Sequence, residues 1–600
     1  DILKRLIGLL LNLKFVSIDF KNSSFKNSLL IIIFIMIPKF LKIIFILLTF
    51  FFTNQANSKV SNNNFSESVL ANYLSAIISY DNQQNQKSSN YFNSSKALIK
   101  KHESYFKKYI FSLVANQKIK RAIQEIKTLK NQSNTDFFEY YLLLVLDSIL
   151  KKDYEKSEKF IGNLSKFKGS NSYEDAIYDT LNLYISTFKN KKLNFQKSKY
   201  ENLNLLNNTF LKCYLDDDTT QISFENLVNS ASVDYSRYLF FYTNYLISKN
   251  KISEANKLFI NKDRLNNDLL ILQTRDWLLN NESKKISNIF SCKSEADLLA
   301  EFFFLISNLY SSQKEMKKSN FYLNISIFLN DKFKSNKLLI ADNYFDTKKY
   351  EEAEKILKKF TKKNKIFYWY KIKTKTKIIS INQNEKQALN YIENKFQKIN
   401  NKTDKIFFDM ANIYKNYKEY NKAINLYTKL MKKYDENSKT YADLLFRRGG
   451  CNERLKNFKK SDEDLLLALT ITPNNSYTLN YLAYSWLERN INITRAVNML
   501  EIAYKNNQDD PYITDSVGWG YYLTGRYVEA EKFMKKAIIL MPNDPIVNDH
   551  YGDILWSLNK KIQAKYYWKS VLNLKDTKKE MIEKVKIKLL IGPKIEHNNS

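Results

Sequence analysis

The stretch that decides the fold runs from Pro511 to Leu574: PYITDSVGWGYYLTGRYVEAEKFMKKAIILMPND (511–544), then PIVNDHYGDILWSLNKKIQAKYYWKSVLNL (545–574). Laid one under the other, the two lines return the same register after 34 residues. Pro511 falls over Pro545, Gly518 over Gly552, Ala530 over Ala564, Ala537 over Val571 and Leu540 over Leu574. A period of this length with small residues at fixed places is the mark of a helix–turn–helix repeat. Two helices can approach closely only where their facing side chains are small, so Gly518 and Ala530 mark the crossing, and Tyr521, Tyr527 and Met534 fill the space around it. Gly525 is placed for a helix C-cap, where a left-handed backbone is cheap for glycine. Pro542 cannot continue a helix and closes the unit. One such pair cannot bury its apolar face alone, so neighbouring pairs must stack into a solenoid.

The register resembles the tetratricopeptide repeat (TPR). Val517 and Gly518 supply the apolar and small pair of helix A, Tyr521 the aromatic three residues on, Gly525-Arg526-Tyr527 the turn, and Ala530 and Ala537 the small residues of helix B. The resemblance implies an all-α, TPR-type α-solenoid, a right-handed superhelix of antiparallel helix pairs. Specific motifs cover residues 335–575. Ala341, Tyr344, Tyr350 and Ala353 mark a first unit, Ala388 and Tyr391 a second, and Ala411, Tyr414, Tyr420, Ala423 and Tyr427 a third. Gly449, Phe458 and Ala468 with Pro473 mark a fourth. In the fifth, Ala483, Trp486, Ala496 and Ala503 fit once one residue is inserted at the turn Asn490–Asn492. The quoted pair makes repeats six and seven. The runs around Asp515-Ser516-Val517-Gly518-Trp519 and Asn548-Asp549-His550-Tyr551-Gly552-Asp553 look like the C-terminal repeats of exported proteobacterial TPR proteins. Residues 576–591 are expected to form a capping helix and 592–600 a tail.

Residues 70–334 carry the pattern only weakly and are expected to be degenerate helical repeats. Ala71, Ala76, Tyr91 and Ala97 suggest a first unit, with the polar Asp81–Asn90 segment as its turn. The aromatic run Phe302-Phe303-Phe304 points to a helix buried all round. Composition agrees with helix upon helix, since the chain of 600 residues holds 10 Gly and 6 Pro, five of the prolines at or after residue 473. The formal charge of +33 comes from lysines dispersed among acidic residues. They read as solvated helix faces in a sequence with the coding bias of an AT-rich genome.

At the N-terminal end the first residue is Asp, and the instructive part begins at Met36. Lys39 and Lys42 make a basic region, Ile43–Phe52 an apolar run and Ala56-Asn57-Ser58 a cleavage site, the layout of a secretory signal peptide spanning the region 1–58. The competing expectation is a retained transmembrane helix over residues 29–52, long enough to span a bilayer. Either way the body is expected outside the cytoplasm, in the periplasm or anchored to the inner membrane, with 59–69 as a flexible lead.

Nothing in the sequence signals catalysis. Cys213, Cys292 and Cys451 lack metal-ligand spacing, and their odd number argues against a disulfide framework. Three histidines are too few for a His-based metal cluster. His550 beside Asp549 and Asp553 is one histidine with two carboxylates and no second histidine, too little for a metal or catalytic site. Asp216-Asp217-Asp218 has no further carboxylates at calcium-loop spacing and reads as a solvated loop. No Gly-rich phosphate loop or nucleic-acid motif occurs, so neither a cofactor nor nucleic acid is expected. Expected partners are proteins or peptides, together with anionic envelope components.

By the TPR resemblance, helix A residues at repeat positions 2, 5, 9, 12 and 13 line the concave groove. In repeat five these are Tyr477, Asn480, Tyr484, Leu487 and Glu488; in repeat six Tyr512, Asp515, Trp519, Tyr522 and Leu523; in repeat seven Ile546, Asp549, Asp553, Trp556 and Ser557. Aromatics alternating with carboxylates suit an extended peptide, with Asp fixing backbone amides or a basic side chain. The alternative for these aromatics is packing between repeats. Lys and Asn, which hold a terminal carboxylate in chaperone-binding TPR adaptors, are not at positions 5 and 9 here. The resemblance therefore implies a non-enzymatic adaptor of the envelope. The rivals are a subunit or enzyme acting on envelope glycan or lipid, and a membrane-anchored scaffold.

Overall fold

The computed structural model describes residues 66–593 apart from 100–101, 129–135, 170–172, 194–198, 231–235, 260–264, 266–267 and 576. The signal-peptide and membrane-helix expectations lie outside these residues. Among the described residues the chain is helical throughout, with no strand, and none of its helices is long and apolar enough to cross a membrane. The first helix, Glu67–Asp81, begins three residues inside the stretch expected to be a flexible lead.

Residues 334–573 form seven successive helix pairs. Their A and B helices run from Lys334–Asp346 and Tyr350–Leu357 in repeat one to Pro545–Ser557 and Lys561–Asn573 in repeat seven, and Lys579–Ile591 is the cap. Asp510 and Asp544 start helix A of repeats six and seven, each carboxylate accepting two backbone N–H groups, with Pro511 and Pro545 at the first helical position. That arrangement satisfies donors that would otherwise be orphaned and uses proline where its missing N–H costs nothing.

The turn between helices A and B repeats as a backbone conformation. Gly525 has φ of 76°, and the equivalent residues Gln117, Lys152, Lys314, Lys348, Lys418, Lys456 and Asn559 all lie between 57° and 65°. The next N–H bonds back to the carbonyl five residues earlier, as Arg526 does to Tyr521 and Lys118 to Leu113 at 2.9 and 2.8 Å. This is the Schellman closure of a helix end. Five residues after the left-handed position the crossing residue is small and wholly buried, Ala530 and Ala564 in the quoted pair. The rule extends to much of the weak half, where Ser88, Ala122, Ser157, Ala255 and Ser319 take that place, while Ile286 holds it after Asn281. In repeat five both Asn490 and Asn492 are left-handed, and Ala496 comes six residues after Asn490, so the inserted residue is taken up by a second left-handed turn.

The first unit differs from its expectation. The turn is Asn82–Gln84, and the polar stretch after it is a helix, Asn85–Ser94, held to its partner where Ser88 Oγ donates to the Ala76 carbonyl. One apolar core runs from Tyr73 to Phe333. The helix Glu295–Ser312, with Phe302, Phe303 and Phe304 all buried, packs against Phe138–Leu150 and Tyr173–Asn190, while its partner Met316–Leu329 lies on Glu103–Ala115. Phe111 stacks on Phe321 at 4.4 Å between centroids, Asn85 Nδ2 donates to Tyr344 Oη at 2.8 Å, and Lys317 meets Asp81 at 2.9 Å. The N-terminal half thus closes on itself. Arg237 and Glu301 form a bidentate pair inside it, both bonds 2.8 Å, with the guanidinium 3.9 Å from the Phe304 ring centre.

The expectation for the cysteines is overturned. Cys213 and Cys292 form a disulfide with Cα atoms 5.6 Å apart, joining the end of helix Glu201–Leu215 to the approach to Glu295–Ser312. The odd count misled because the third cysteine, Cys451, is a separate buried packing residue whose thiol burial pushes up to about 11. The triple aspartate is a solvated turn: Asp216 is left-handed and pairs with Lys249, and Asp217 accepts from the Thr219 backbone N–H.

Candidate functional site: a cleft across four repeats

Helix A of each repeat presents one face to the same side of the solenoid, and four of these faces enclose a cleft of about 410 Å³. Glu453 and Arg454 come from repeat four, Asn480, Tyr484 and Glu488 from repeat five, Tyr512 and Asp515 from repeat six, and Asp544 and Ile546 from the start of repeat seven. Of the groove residues named from sequence, Asn480, Tyr484, Glu488, Tyr512, Asp515 and Ile546 meet here. Glu453 and Arg454 were missed, although they hold positions 12 and 13 of repeat four when its register is counted from Gly449. Asp544 was missed because it is a cap residue that no groove position covers.

The cleft is acidic and aromatic. Four carboxylates, Glu453, Glu488, Asp515 and Asp544, face one guanidinium, Arg454, which lies 3.4 Å from Glu453. Tyr481 Oη donates to Glu453 at 3.0 Å. Burial, then the charges of Glu488 and Asp515, hold the Tyr484 phenol well above its ordinary pKa. Tyr512 is 63% exposed and Ile546 48% exposed. The Asn480 side-chain oxygen is buried without a hydrogen-bond partner.

The remaining named residues have other surroundings. Tyr477, exposed, lines a neighbouring hollow with Asp443 and Arg447. Trp519 lies between Tyr522 and His550, with ring centres 4.8 and 4.0 Å away. Asp549 and Asp553 receive Lys588 of the cap at 2.8 and 2.7 Å, and Asp553 also accepts from Trp568 Nε1 at 3.1 Å. Trp556 is covered by the chain beyond the cap, so closely that a Cβ on Gly592 would stand 2.6 Å from its ring. In repeat seven, then, the cap occupies the groove face. The residues named for packing, Ala483, Ala496, Ala503, Gly518, Ala530, Ala537, Gly552 and Ala564, are all buried.

His550 is buried, its Nδ1 3.1 Å from Asp515 Oδ1. Burial opposes its charged form, but Asp515, Asp549 and Asp553 together outweigh burial and raise its pKa. Burial likewise pushes the Asp553 carboxyl up to about 6 against the pull of Lys588. Among the described residues there is no group of His, Cys, Asp and Glu that could hold a metal ion.

No protein-family model matches the chain. Over 123 residues it is 31% identical to the TPR repeat-containing protein PA4667 of Pseudomonas aeruginosa, a match covering 20% of each chain. The match thus spans a fifth of that relative's length. Among solved structures, TTC0263, a thermophilic TPR protein of Thermus thermophilus, is 16% identical, with a TM-score of 0.27, over 32% of this chain and all of that one. A MamA RS-1 double mutant is 15% identical, with a TM-score of 0.26, over 30% of this chain and 97% of that one. With antiparallel helix pairs whose last two units repeat in a 34-residue register, the chain is an all-α solenoid of tetratricopeptide type, similar over a fifth of its length to this TPR repeat-containing relative.

Proposed function

We propose that the protein is a non-enzymatic scaffold of the bacterial cell envelope that binds segments of other proteins in the cleft between repeats four and seven. The observation that carries this is the cleft itself. It is continuous across four helices, lined by polar and aromatic side chains, and large enough for several residues of an extended chain. Tyr484 and Tyr512 offer contact area at low entropy cost, the usual anchor of such interfaces. Export is supported by the Cys213–Cys292 disulfide, since such bonds persist in oxidising compartments. The net charge of +33 favours encounter with anionic envelope material.

The test is site-specific crosslinking in the source cell. A benzophenone side chain in place of Tyr512 is expected to trap a discrete protein, and the same group in place of Ile562, 89% exposed on a B helix, is not. Equal or absent trapping at the two positions would overturn the cleft reading. N-terminal sequencing of the mature protein decides between cleavage after Ser58 and retention of residues 29–52.

A further inference from the structure

We infer that the segment bound in the cleft presents a lysine or arginine side chain to Tyr484 and Glu488; this rests on the cleft reading above. The chain already shows how its concave face treats cations. In repeat seven, positions 5 and 9 of helix A are Asp549 and Asp553, and they receive the Lys588 ammonium. In repeat six the same positions are Asp515 and Trp519, and they receive His550, one by hydrogen bond and the other by ring stacking. In repeat five they are Asn480 and Tyr484, which open onto the cleft. There the Asn480 oxygen is a buried acceptor with no partner, a state that disfavours the unfilled cleft.

Charge points the same way. A protein of net charge +33 has gathered four carboxylates around one hollow; Asp515 meets His550, Asp544 caps a helix and Glu453 lies close to Arg454, which leaves Glu488. Glu488 is exposed and forms no salt bridge among the described residues. Carboxylates sharing a partly enclosed space repel one another, and an arriving cation relieves that repulsion where screening by water is weakest. Tyr512 and Ile546 at the rim suit the aliphatic stem of a lysine or arginine, and the Tyr484 ring offers a face to its charged end. An anionic segment would meet the same carboxylates without compensation.

A random 12-residue peptide library displayed on phage, selected on the full chain, tests this. Wild-type protein is expected to enrich Lys or Arg at one position about tenfold. Selection on Glu488→Lys should lose that enrichment, and Glu488→Gln should weaken it; both change an exposed residue, so folding is preserved. Peptides that show no cationic preference yet are lost on Tyr484→Ala would overturn the cation assignment and leave the cleft reading standing. Peptides indifferent to both positions would overturn both. Enrichment of acidic residues would also reject the assignment.

Discussion

The two halves of the molecule use the same turn and crossing to opposite ends. In residues 66–333 the helix pairs curve until the first meets the last, and the concave side is filled from within by Glu295–Leu329 and its aromatic rings. In residues 334–593 each pair touches chiefly its neighbours, and the concave side carries carboxylates and tyrosines around open space. A solenoid therefore becomes a closed core or an open cleft according to what its A helices point inward. Large apolar residues there close it, and polar ones keep it open.

That contrast can be broken most sharply at Arg237. Replacing it with Met leaves Glu301, 1% exposed at its side chain, without its partner, and such losses cost about 3–5 kcal/mol. Thermal unfolding should show the N-terminal transition lowered and the C-terminal one unmoved, and Arg237→Met/Glu301→Leu should recover most of the loss. Replacing Cys213 and Cys292 with Ser should cost about 2–4 kcal/mol, again only in the N-terminal half, and should abolish the effect of reductant on wild-type melting. Gly552→Val tests the other half. Its Cβ would stand 2.3 Å from the Trp568 indole, and the overpacking should cost about 1–3 kcal/mol, read as faster amide exchange in repeats six and seven alone.

The smallest effect is the most specific. His550 has a folded pKa raised above its ordinary ~6.5, so its contribution is complete below that value and fades as pH rises through the folded pKa. Asp553, held up to about 6, carries the same sign: its folded state loses stability as pH rises through that value. The stability gap between wild type and His550→Gln should therefore be wider at pH 5 than at pH 8. An equal gap at both values would mean that His550 acts by shape alone.

Repeats one to seven were legible because alanine keeps its place at most of their crossings, as Ala353, Ala388, Ala423, Ala496, Ala530 and Ala564 do, with proline at the later boundaries. The N-terminal repeats were not. Three of their crossings use Ser88, Ser157 and Ser319 in place of alanine. Serine is nearly as small as alanine, so the fold accepts it where a pattern of alanines does not register it. The closure of that half depends on pairs such as Phe111 with Phe321, and no local periodicity encodes a contact 210 residues apart. Within the groove, position alone could not separate Asp515 from Asp549. What distinguishes them is Lys588, which arrives from a helix read only as a cap.

The left-handed turns have a consequence for how the protein comes apart. Lys152, Lys314, Lys348, Lys418 and Lys456 are all exposed at A–B turns, which makes each a bond that trypsin can reach once its turn loosens. Where the sites are one repeat apart, brief digestion should give a ladder with rungs of about 4 kDa, the mass of 34 residues in a chain of 71.1 kDa and 600 residues. Nicks beyond residue 334 should release their pieces. Nicks at Lys152 and Lys314 should leave fragments travelling together on a sizing column until denaturant is added, held by a core that no longer needs a continuous chain.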